Sequence, residues 1–557
     1  MYMPKKQSIV TLFLISLLTS CVQTASEKPT VAETQATEKA PQGQLPKTAI
    51  PLNYALELTI LPQEEDFSGN VSIEVDLRDA ASQLWLHGKK LNISKSSASL
   101  ASGSTIDIAY QQVTEAGVVR IDFGQKLEPQ KITLNFEYTA KFDSDLEGLY
   151  RTKSEDNWYA FTQFEAIAAR LAFPGFDEPS FKTPFDITLV IDENHSASAP
   201  YSPVSETTLE NGRKRIQYKT TAALPTYLIA FAVGPMDVVT YENIPANDVR
   251  QHPIPLRGFA AKGKGKLLDY ALKNTGTLLA LLESYFGIPY PYDKIDIIAV
   301  PDFSAGAMEN VGVITFRDWL LLVDEKTAPA GQKRAYAYVM AHELAHQWFG
   351  NLVTMPWWDD LWLNEAFASW MENIVIRDFD PSYKAEISTV QTSLYAMGTD
   401  SKVSARQIRQ PITNEHDIHN AFDGITYSKG EGVLGMFENY LGEEDFKKGI
   451  QHHMKKFSHG NATADDFLTS LSESTGKDIT SSFKTFLLQP GVPFLNIQVQ
   501  CQKSETSSVK IEQSRYFPVG SAGDANKTWE IPYCARYQVS GETYEECHLL
   551  KSNAQQT

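Results

Sequence analysis

The feature that most constrains this chain is a His-Glu-Leu-Ala-His sequence at residues 342–346, inside a run of helical patterning over residues 332–348. Residues four positions apart share one face of an α-helix, so His342 and His346 can bind one zinc ion. Glu343 then lies beside the zinc, near a bound water molecule. Two histidines do not complete a metal site, and a structural histidine pair is the alternative interpretation of this motif alone.

A second helical run, which begins at residue 360, supplies the third ligand. Glu365 lies there among apolar residues, where an unpaired carboxylate is costly to bury, so it needs a cation. Two histidines and one glutamate leave the fourth zinc position open for water, which is typical of a catalytic site. The sequence therefore predicts one Zn²⁺ ion per chain, bound by His342, His346 and Glu365.

The length and the charge of the chain limit its class. It has 557 residues. A single hydrophobic core stops growing at roughly 250 to 300 residues, so we expect two or three domains. The formal net charge is −18, and Lys and Arg do not form the basic stripe that phosphate binding needs. These features predict a globular protein with no nucleic-acid partner and leave the oligomeric state open.

The N-terminal residues have the pattern of an export signal. Lys5 and Lys6 precede an apolar run from Ile9 to Leu18, which is too short to span a bilayer and is typical of a signal-peptide core. The Leu-Thr-Ser-Cys sequence that ends this region resembles a bacterial lipobox. Residues 1–20 are therefore predicted to be removed and Cys21 to carry a lipid anchor to the membrane. Cleavage of an ordinary secretory signal nearby is the alternative.

Both interpretations place the mature protein outside the cytoplasm. Lipoproteins kept at the inner membrane usually have Asp after the lipidated cysteine, whereas this chain has Val22, so the resemblance points to a periplasm-facing lipoprotein of the outer membrane. Residues 21–47 are rich in Ala, Thr, Glu, Gln, Lys and Pro without hydrophobic periodicity. They are predicted to form a flexible linker.

Strand-like alternation begins after this linker. Apolar residues alternate with others from Tyr54 to Ile60, and similar short strands recur to about residue 240. The Ser-Gly-Asn sequence at residues 68–70 is interpreted as the turn between the first two strands. The pattern predicts an N-terminal antiparallel β-sandwich domain over residues 48–240.

Helical patterns dominate the next part of the chain and end near a Gln-Pro-Gly sequence. Residues 241–490 are therefore assigned to the catalytic domain, and the alternation that returns over residues 491–557 predicts a C-terminal β domain. Within it, a Ser-Gly turn at residues 540–541 predicts a hairpin that places Cys534 opposite Cys547. Opposed cysteines of an exported protein can form a disulfide, although a slip of one residue in register would prevent it.

The histidine pair, the eighteen residues after it and the Asn-Glu-Ala-Phe-Ala sequence around Glu365 together resemble the gluzincin zinc aminopeptidases of the aminopeptidase N type. Further blocks agree with that family in order. Residues 306–310 resemble its exopeptidase signature, residues 162–165 and 173–179 its N-terminal domain signature, and residues 427–430 its tyrosine block. The resemblance implies a multidomain α+β fold: an N-terminal antiparallel β-sandwich, a thermolysin-like mixed α/β catalytic domain and a small C-terminal β-sandwich.

Peptides with a free N-terminus are the substrates that this resemblance implies. Glu343 is placed to act as the general base that takes a proton from water and returns it to the leaving amine. By resemblance, Tyr427 donates a hydrogen bond to the oxyanion, and Glu309 and Glu165 bind the ammonium group of the substrate. The family pattern also places five further residues along the substrate: Gln163, Gly306, Ala307, Met308 and Asn310.

The chain departs from the family pattern at Gly175, where Cys is common, at Ala366, where Gly is common, and in ending soon after the second β domain begins. The last departure predicts an open cleft that accepts long peptides.

Two other functions stay open. One is an epoxide hydrolase resembling leukotriene hydrolase, which shares the zinc and tyrosine residues, and the other is a noncatalytic scaffold. The preferred N-terminal residue of the substrate does not follow from the sequence.

Overall fold

The computed structural model describes residues 39–500 and 508–556. Its N-terminal part is built from the alternating strands that the sequence predicts. In the first strand Tyr54, Leu56 and Leu58 are buried, while the residues between them are more exposed. The strands are β1 (Ala49–Thr59), β2 (Asp66–Leu77), β3 (Ala81–His87), β4 (Asn92–Leu100), β5 (Thr105–Asp107), β6 (Ala109–Gln112), β7 (Val118–Leu127), β8 (Gln130–Lys141), β9 (Gly148–Ser154), β10 (Asn157–Gln163), β11 (Phe185–Asp192), β12 (Ser196–Ser198), β13 (Pro203–Thr208), β14 (Arg213–Tyr218), β15 (Ala232–Gly234) and β16 (Asp237–Thr240).

An eight-stranded sheet, in the order β13-β14-β11-β1-β2-β8-β4-β5, is the largest of this part. A three-stranded sheet (β3-β7-β6) and a four-stranded sheet (β12-β15-β10-β9) accompany it, so the N-terminal part is β-rich as predicted. The predicted antiparallel arrangement is wrong for one pair, because β1 and β11 are parallel, with Tyr54 opposite Phe185. A long connection separates these two strands in sequence, which permits a parallel pairing that a tight hairpin does not.

The predicted turn at residues 68–70 is also wrong. These residues lie inside β2, where Gly69 pairs with Leu58 of β1. A Cβ atom on Gly69 would lie 2.4 Å from the ring of Tyr138 on the neighbouring strand β8. The glycine is therefore needed for close side-chain packing inside a strand, a second use of glycine that sequence alone does not separate from a turn.

Packing begins within the segment predicted as a linker. Leu45 is buried, and its backbone N–H donates a hydrogen bond to the carboxylate of Glu178. The predicted linker is therefore too long at its C-terminal end, because these residues find partners in the fold. The described residues from Ala40 onward form one compact unit. Boundaries near residues 240 and 490 stay predictions, and the predicted signal and Cys21 lie outside the described residues.

The central part combines a mixed sheet with helices, in agreement with the predicted α+β class. The sheet has the order β16-β17-β18-β20-β19, in which β17, β18 and β20 are parallel and the two edge strands are antiparallel to their neighbours. The elements of this central part that follow β16 are β17 (Leu256–Ala260), α1 (Asp269–Phe286), β18 (Ile295–Val300), β19 (Ala307–Met308), β20 (Val313–Arg317), α2 (Asp318–Leu321), α3 (Ala330–Ala345), α4 (Trp362–Phe379), α5 (Ala385–Asp400), α6 (Glu415–His419), a π-helical turn (Ile425–Lys429), α7 (Gly430–Leu441), α8 (Glu443–Lys456), α9 (Ala464–Thr475) and α10 (Thr480–Leu487).

Helices α3 and α4 carry the predicted zinc ligands, and aromatic packing fixes how they meet. Phe349, just after α3, stacks on Phe367 of α4 with ring centroids 4.0 Å apart and an angle of 21° between the planes. Trp348 stacks in the same way on Phe286 at the end of α1, at 4.8 Å. These buried contacts hold the C-terminal end of α3 against the first two turns of α4 and against the end of α1.

The C-terminal part consists of two small antiparallel sheets. One contains β21 (Pro493–Gln500), β22 (Ser508–Arg515) and β25 (Ala554–Gln556), and the other is the hairpin of β23 (Ile531–Val539) and β24 (Glu542–Leu550). Both hairpin turn residues, Ser540 and Gly541, have positive φ. Cys534 pairs with Cys547 in the predicted register, and the two form the disulfide that the sequence leaves open. Among the helices of the described residues, none is both long and apolar enough to cross a membrane.

Candidate active site

Three side chains from two packed helices converge on one position. His342 lies in the last turn of α3, His346 caps the end of this helix, and Glu365 lies in the first turn of α4. Oε2 of Glu365 is 3.4 Å from Nε2 of His342 and 3.5 Å from Nε2 of His346. Ligand atoms of a tetrahedral zinc ion, each at about 2.0 to 2.2 Å from the metal, lie roughly 3.4 Å apart. The three side chains therefore fit a zinc ion.

The other ring nitrogens of the two histidines also have partners. Nδ1 of His342 lies 2.9 Å from Oε2 of Glu372, and Nδ1 of His346 lies 2.6 Å from Oδ1 of Asn364. Such contacts fix the tautomer and the orientation of a metal-binding imidazole. Neither partner is predicted from the sequence, although Glu372 follows Glu365 by two helical turns and this spacing places both on one face of α4.

The charge balance of the cluster favours a cation. Burial raises the pKa of Glu365, but contacts with His342 and His346 outweigh this effect and lower the pKa to about 2. Burial lowers the pKa of His346, whereas the negative charges of Glu309 and Glu365 raise it to about 9. The carboxylates thus stabilise positive charge at the imidazoles. A zinc ion supplies this charge when it is bound, and the imidazoles are then neutral ligands.

Glu343 lies beside the ligands without being one of them. Its side chain is buried, and its Oε2 has no hydrogen-bond partner among the described residues. Burial raises the pKa of Glu343 to about 8, against the opposing effects of His342 and His346. A buried carboxyl with a free oxygen next to a metal site is suited to accept a proton from a bound water molecule.

The predicted zinc ligands lie in a cleft of about 730 Å³. The structure brings together here all but one of the predicted site residues. The cleft is lined by Gln163, Glu165, Gly306, Ala307, Met308, Glu309, His342, Glu343, His346, Glu365 and Tyr427, and also by Glu147, Tyr338, Glu372, His419 and Phe422, which are not predicted from the sequence. Asn310 is the exception. It is fully buried beneath the cleft, where its side chain contacts Tyr227 and Thr315.

Glu309 is connected directly to the metal site. Its backbone carbonyl accepts hydrogen bonds from Gln347 and Asn351, and its carboxylate accepts one of 2.9 Å from the amide of Asn364. The same Asn364 side chain contacts His346 through its oxygen. The carboxylate predicted to bind the substrate amine is therefore held in place by residues that follow the metal-binding helix or precede Glu365.

Glu165 provides a second carboxylate at this end of the cleft. Its Oε1 is buried and has no hydrogen-bond partner within the described residues. Burial raises its pKa well above the usual range, and the negative charges of Glu309, Glu365 and Glu343 add to this effect. Such a group gains most from a cationic partner, because a positive charge would offset both the burial and the repulsion.

Tyr427 lies beside His342, in the π-helical turn at Ile425–Lys429. The tyrosine ring is nearly parallel to the imidazole of His342, with an angle of 16° and centroids 6.3 Å apart. Burial, followed by the charges of Glu365 and Glu165, raises the pKa of Tyr427 well above its usual value. The phenol therefore stays protonated and can donate a hydrogen bond into the cleft.

The two substitutions relative to the family pattern leave the metal ligands in place. Ala366 is buried against Gly430, and a Cβ atom added at Gly430 would lie 2.4 Å from the Ala366 methyl group. Gly175 lies in the N-terminal part, where an added Cβ atom would be 3.1 Å from the hydroxyl of Tyr54. Neither position contacts the zinc ligands through these groups.

Comparison with known proteins agrees with the geometry of the site. Residues 50–228 match the peptidase M1 N-terminal domain, and residues 270–486 match the peptidase family M1 domain. Puromycin-sensitive aminopeptidase of Caenorhabditis elegans is 33% identical over 523 residues, which cover 92% of this chain and 54% of that protein. Endoplasmic reticulum aminopeptidase 2 of Homo sapiens is 33% identical over 554 residues, or 91% of this chain and 56% of that protein.

Aminopeptidase M1 of Arabidopsis thaliana is similar to the same extent, with 33% identity over 506 residues that cover 89% of this chain and 56% of the plant protein. The chain thus spans about half the length of these relatives. The two matched domains include the zinc ligands, Glu343, Tyr427 and the carboxylates of the cleft. With both of its characteristic domains present in the expected order, the chain belongs to peptidase family M1.

Proposed function

We propose that the protein is a zinc-dependent aminopeptidase that removes single residues from the N-termini of peptides. The observation that supports this proposal best is the arrangement of carboxylates around one cleft. Glu365 completes a three-ligand metal set, Glu343 lies beside it, and Glu309 and Glu165 form an acidic end close to the metal. An ammonium group bound at that end brings the first peptide bond of a substrate next to the metal.

His342, His346 and Glu365 would hold the ion. Bound zinc supplies Lewis-acid chemistry, since it acidifies a water molecule and polarises a carbonyl group. Glu343 takes the proton from the water as general base and then gives it to the nitrogen of the leaving peptide as general acid. The side chain of Glu343 is buried beside the candidate ligands with one oxygen free of hydrogen bonds among the described residues, which suits both proton transfers.

Tyr427 stabilises the oxyanion, and the acidic end of the cleft binds the N-terminus of the substrate. Tyr427 donates a hydrogen bond to the carbonyl oxygen as negative charge develops there, and its position beside His342 supports this role. Glu309 and Glu165 bind the α-ammonium group of the substrate through charge-assisted hydrogen bonds. Gln163 and Met308, which contact each other across the cleft wall, line the space for the first side chain.

Two measurements on the purified protein test the proposal. An aminoacyl fluorogenic amide should be hydrolysed, its N-acetylated form should not, and chelation followed by zinc addition should remove and restore the activity. Glu343→Ala should keep one zinc per chain and lose turnover, because Glu343 is not a ligand. Cleavage of the acetylated substrate at a similar rate would contradict the exopeptidase assignment. Loss of zinc from Glu343→Ala would contradict the assigned role of this residue.

The comparisons favour peptide-bond hydrolysis over the two other functions that the sequence leaves open. Each of the relatives compared above is named as an aminopeptidase. All of the ligands and the catalytic carboxyl are present, which argues against a noncatalytic scaffold. A panel of aminoacyl amides would establish the preferred N-terminal residue.

We also propose that Cys21 carries a lipid that anchors the protein to the outer membrane, facing the periplasm. This proposal is based on the lipobox-like sequence alone. In a bacterial host, Cys21→Ser should release the protein from the membrane fraction or stop its maturation. Normal processing and unchanged membrane retention of this variant would contradict the anchor.

A further inference from the structure

Arg406 lies in the segment that follows α5, outside the sequence motifs described above. Its side chain binds the residues just before Tyr427. Its guanidinium forms a bidentate ion pair with the carboxylate of Asp423. The same group donates hydrogen bonds of 2.9 Å to the carbonyl of Ala421 and 2.7 Å to the hydroxyl of Thr426. The side chain of Arg406 is only 15% exposed, whereas that of Asp423 is 42% exposed.

The residues that Arg406 contacts shape the turn that presents Tyr427. Oδ1 of Asp423 accepts the backbone N–H groups of Ile425 and Thr426, and the carbonyl of Asp423 accepts the N–H of Tyr427. Thr426 donates its hydroxyl to the carbonyl of Ala421. Arg406 therefore binds the side chains and the carbonyl group that define the start of the π-helical turn.

A second ion pair holds the other end of the same turn. Nζ of Lys429 lies 2.9 Å from Oδ2 of Asp400, the last residue of α5, and both side chains are buried. The other oxygen of Asp400 accepts the N–H of Gly491. The segment from Asp400 to Arg406 thus holds the turn on both sides of Tyr427, but only Arg406 contacts the residues directly before it.

A π-helical turn needs such support. It is a rare backbone form that occurs mostly at functional sites, and here it is closed by the bond from the N–H of Lys429 to the carbonyl of Gly424. If the turn relaxed to an α-helix, the residues in it would rotate around the helix axis. The hydroxyl of Tyr427 would then leave the position from which it can reach a carbonyl group at the zinc site.

We infer that Arg406 is a positioning residue for Tyr427, which holds the π-helical turn so that the phenol donates its hydrogen bond in the transition state. This inference rests on the proposed function, since it assigns the effect of Arg406 to the hydroxyl of Tyr427. This role requires a planar guanidinium. The ammonium group of lysine cannot form a bidentate ion pair with Asp423 and at the same time reach Ala421 and Thr426.

The test is a double-mutant cycle on the zinc-loaded protein with an aminoacyl amide substrate. Tyr427→Phe should lower kcat about 100-fold, as for the loss of an oxyanion donor. Arg406→Met should lower kcat about tenfold, with KM changed by less than about twofold and with zinc content unchanged. In the Tyr427→Phe background, Arg406→Met should have no further effect on kcat, because the hydroxyl that it positions is absent. Arg377→Met, which removes an ion pair at the far end of α4, is the control and should leave kcat unchanged.

Arg406→Lys provides the same comparison if Arg406→Met does not fold, as judged by circular dichroism, and it should also lower kcat, because its ammonium group cannot replace the guanidinium contacts. Independent losses that multiply in the double variant would overturn the inference while leaving the role of Tyr427 intact. A change confined to KM would also overturn it. If Tyr427→Phe alone keeps full kcat, the proposed role of the phenol is wrong and the inference on Arg406 is overturned with it.

Discussion

The side-chain oxygen of Asn364 lies 2.6 Å from Nδ1 of His346. Its amide group at the same time donates a hydrogen bond to the carboxylate of Glu309. One buried amide therefore orients a zinc ligand and a carboxylate of the substrate cleft together. Residues next to the metal-binding motif thus contribute to the site without touching the metal.

Replacement of Asn364 by Ala should weaken zinc binding about 10- to 100-fold, because the imidazole of His346 loses a partner that fixes its orientation. Competition with a chromogenic chelator measures this affinity. Asn439→Ala is a matched control, since Asn439 is exposed on α7 and its amide donates to the backbone carbonyl of Gly435. Equal zinc affinity of the two variants would show that Asn364 does not orient the ligand.

Replacement of Glu165 by Gln should raise KM for substrates with a free N-terminus about 10- to 100-fold, the usual range for losing a hydrogen bond between charged groups. The change keeps the size of the side chain and removes only its charge. Hydrolysis of an aminoacyl amide at several concentrations measures the effect. Glu147→Gln, at the exposed edge of the same cleft, is the control. An unchanged KM in Glu165→Gln would remove this residue from amine binding.

Lys182 should make the stability of the protein depend on pH. Lys182 is partly buried, and its Nζ donates to the carbonyls of Asn351, Leu352 and Gly460, at 3.0, 3.1 and 3.2 Å. Burial lowers the pKa of Lys182 to about 7. Between about pH 7 and pH 10 the unfolded chain therefore binds more protons at this residue than the folded chain, so its contribution to the free energy of unfolding increases with pH.

The difference in free energy of unfolding between the wild type and Lys182→Met should accordingly increase over that pH range. Urea unfolding of both proteins at several pH values measures it, with the exposed Lys448→Met as a control that should show no such trend. A constant difference would mean that the three carbonyls keep the ammonium charged in the folded state.

Replacement of Gly430 by Ala should destabilise the protein by about 1 to 3 kcal/mol, because the new methyl group would overlap with that of Ala366. Calorimetry measures the loss as a lower melting temperature. The double variant with Ala366→Gly should recover most of the loss, since it removes the overlapping methyl group. Failure of this second change to restore stability would place the strain elsewhere.

The approach of His342 and His346 to each other could be predicted because their geometry is local. His342 and His346 are separated by one helical turn, and that spacing fixes their relation before any tertiary contact forms. Glu365 could be predicted because it is a carboxylate among apolar residues. The contacts of Glu372 and Asn364 depend on how α3 packs against α4, and Arg406 reaches its partners from a different segment. Neither kind of contact leaves a periodic signal in the sequence.

The fold shows the same division between local and long-range information. Alternation predicts β1 and the turn chemistry at Ser540 predicts the last hairpin, with its disulfide, because both signals lie within a few residues. The parallel pairing of β1 with β11 joins distant parts of the chain, and the alternation of a strand does not specify its neighbour. Gly69 illustrates a further limit, since its role depends on Tyr138, a residue brought close only by the folded sheet.

The attachment of Glu309 to the metal-binding region has a consequence for the length of the product. The backbone of Glu309 is tied to Gln347 and Asn351, and its carboxylate to Asn364. These hydrogen bonds link the carboxylate of Glu309 to the segment that carries the candidate metal ligands, and so constrain the separation between the two. Under the proposed function, a change of side chain in the cleft alters which residue is accepted, whereas release of dipeptides requires the edge strand β19 to move relative to α3.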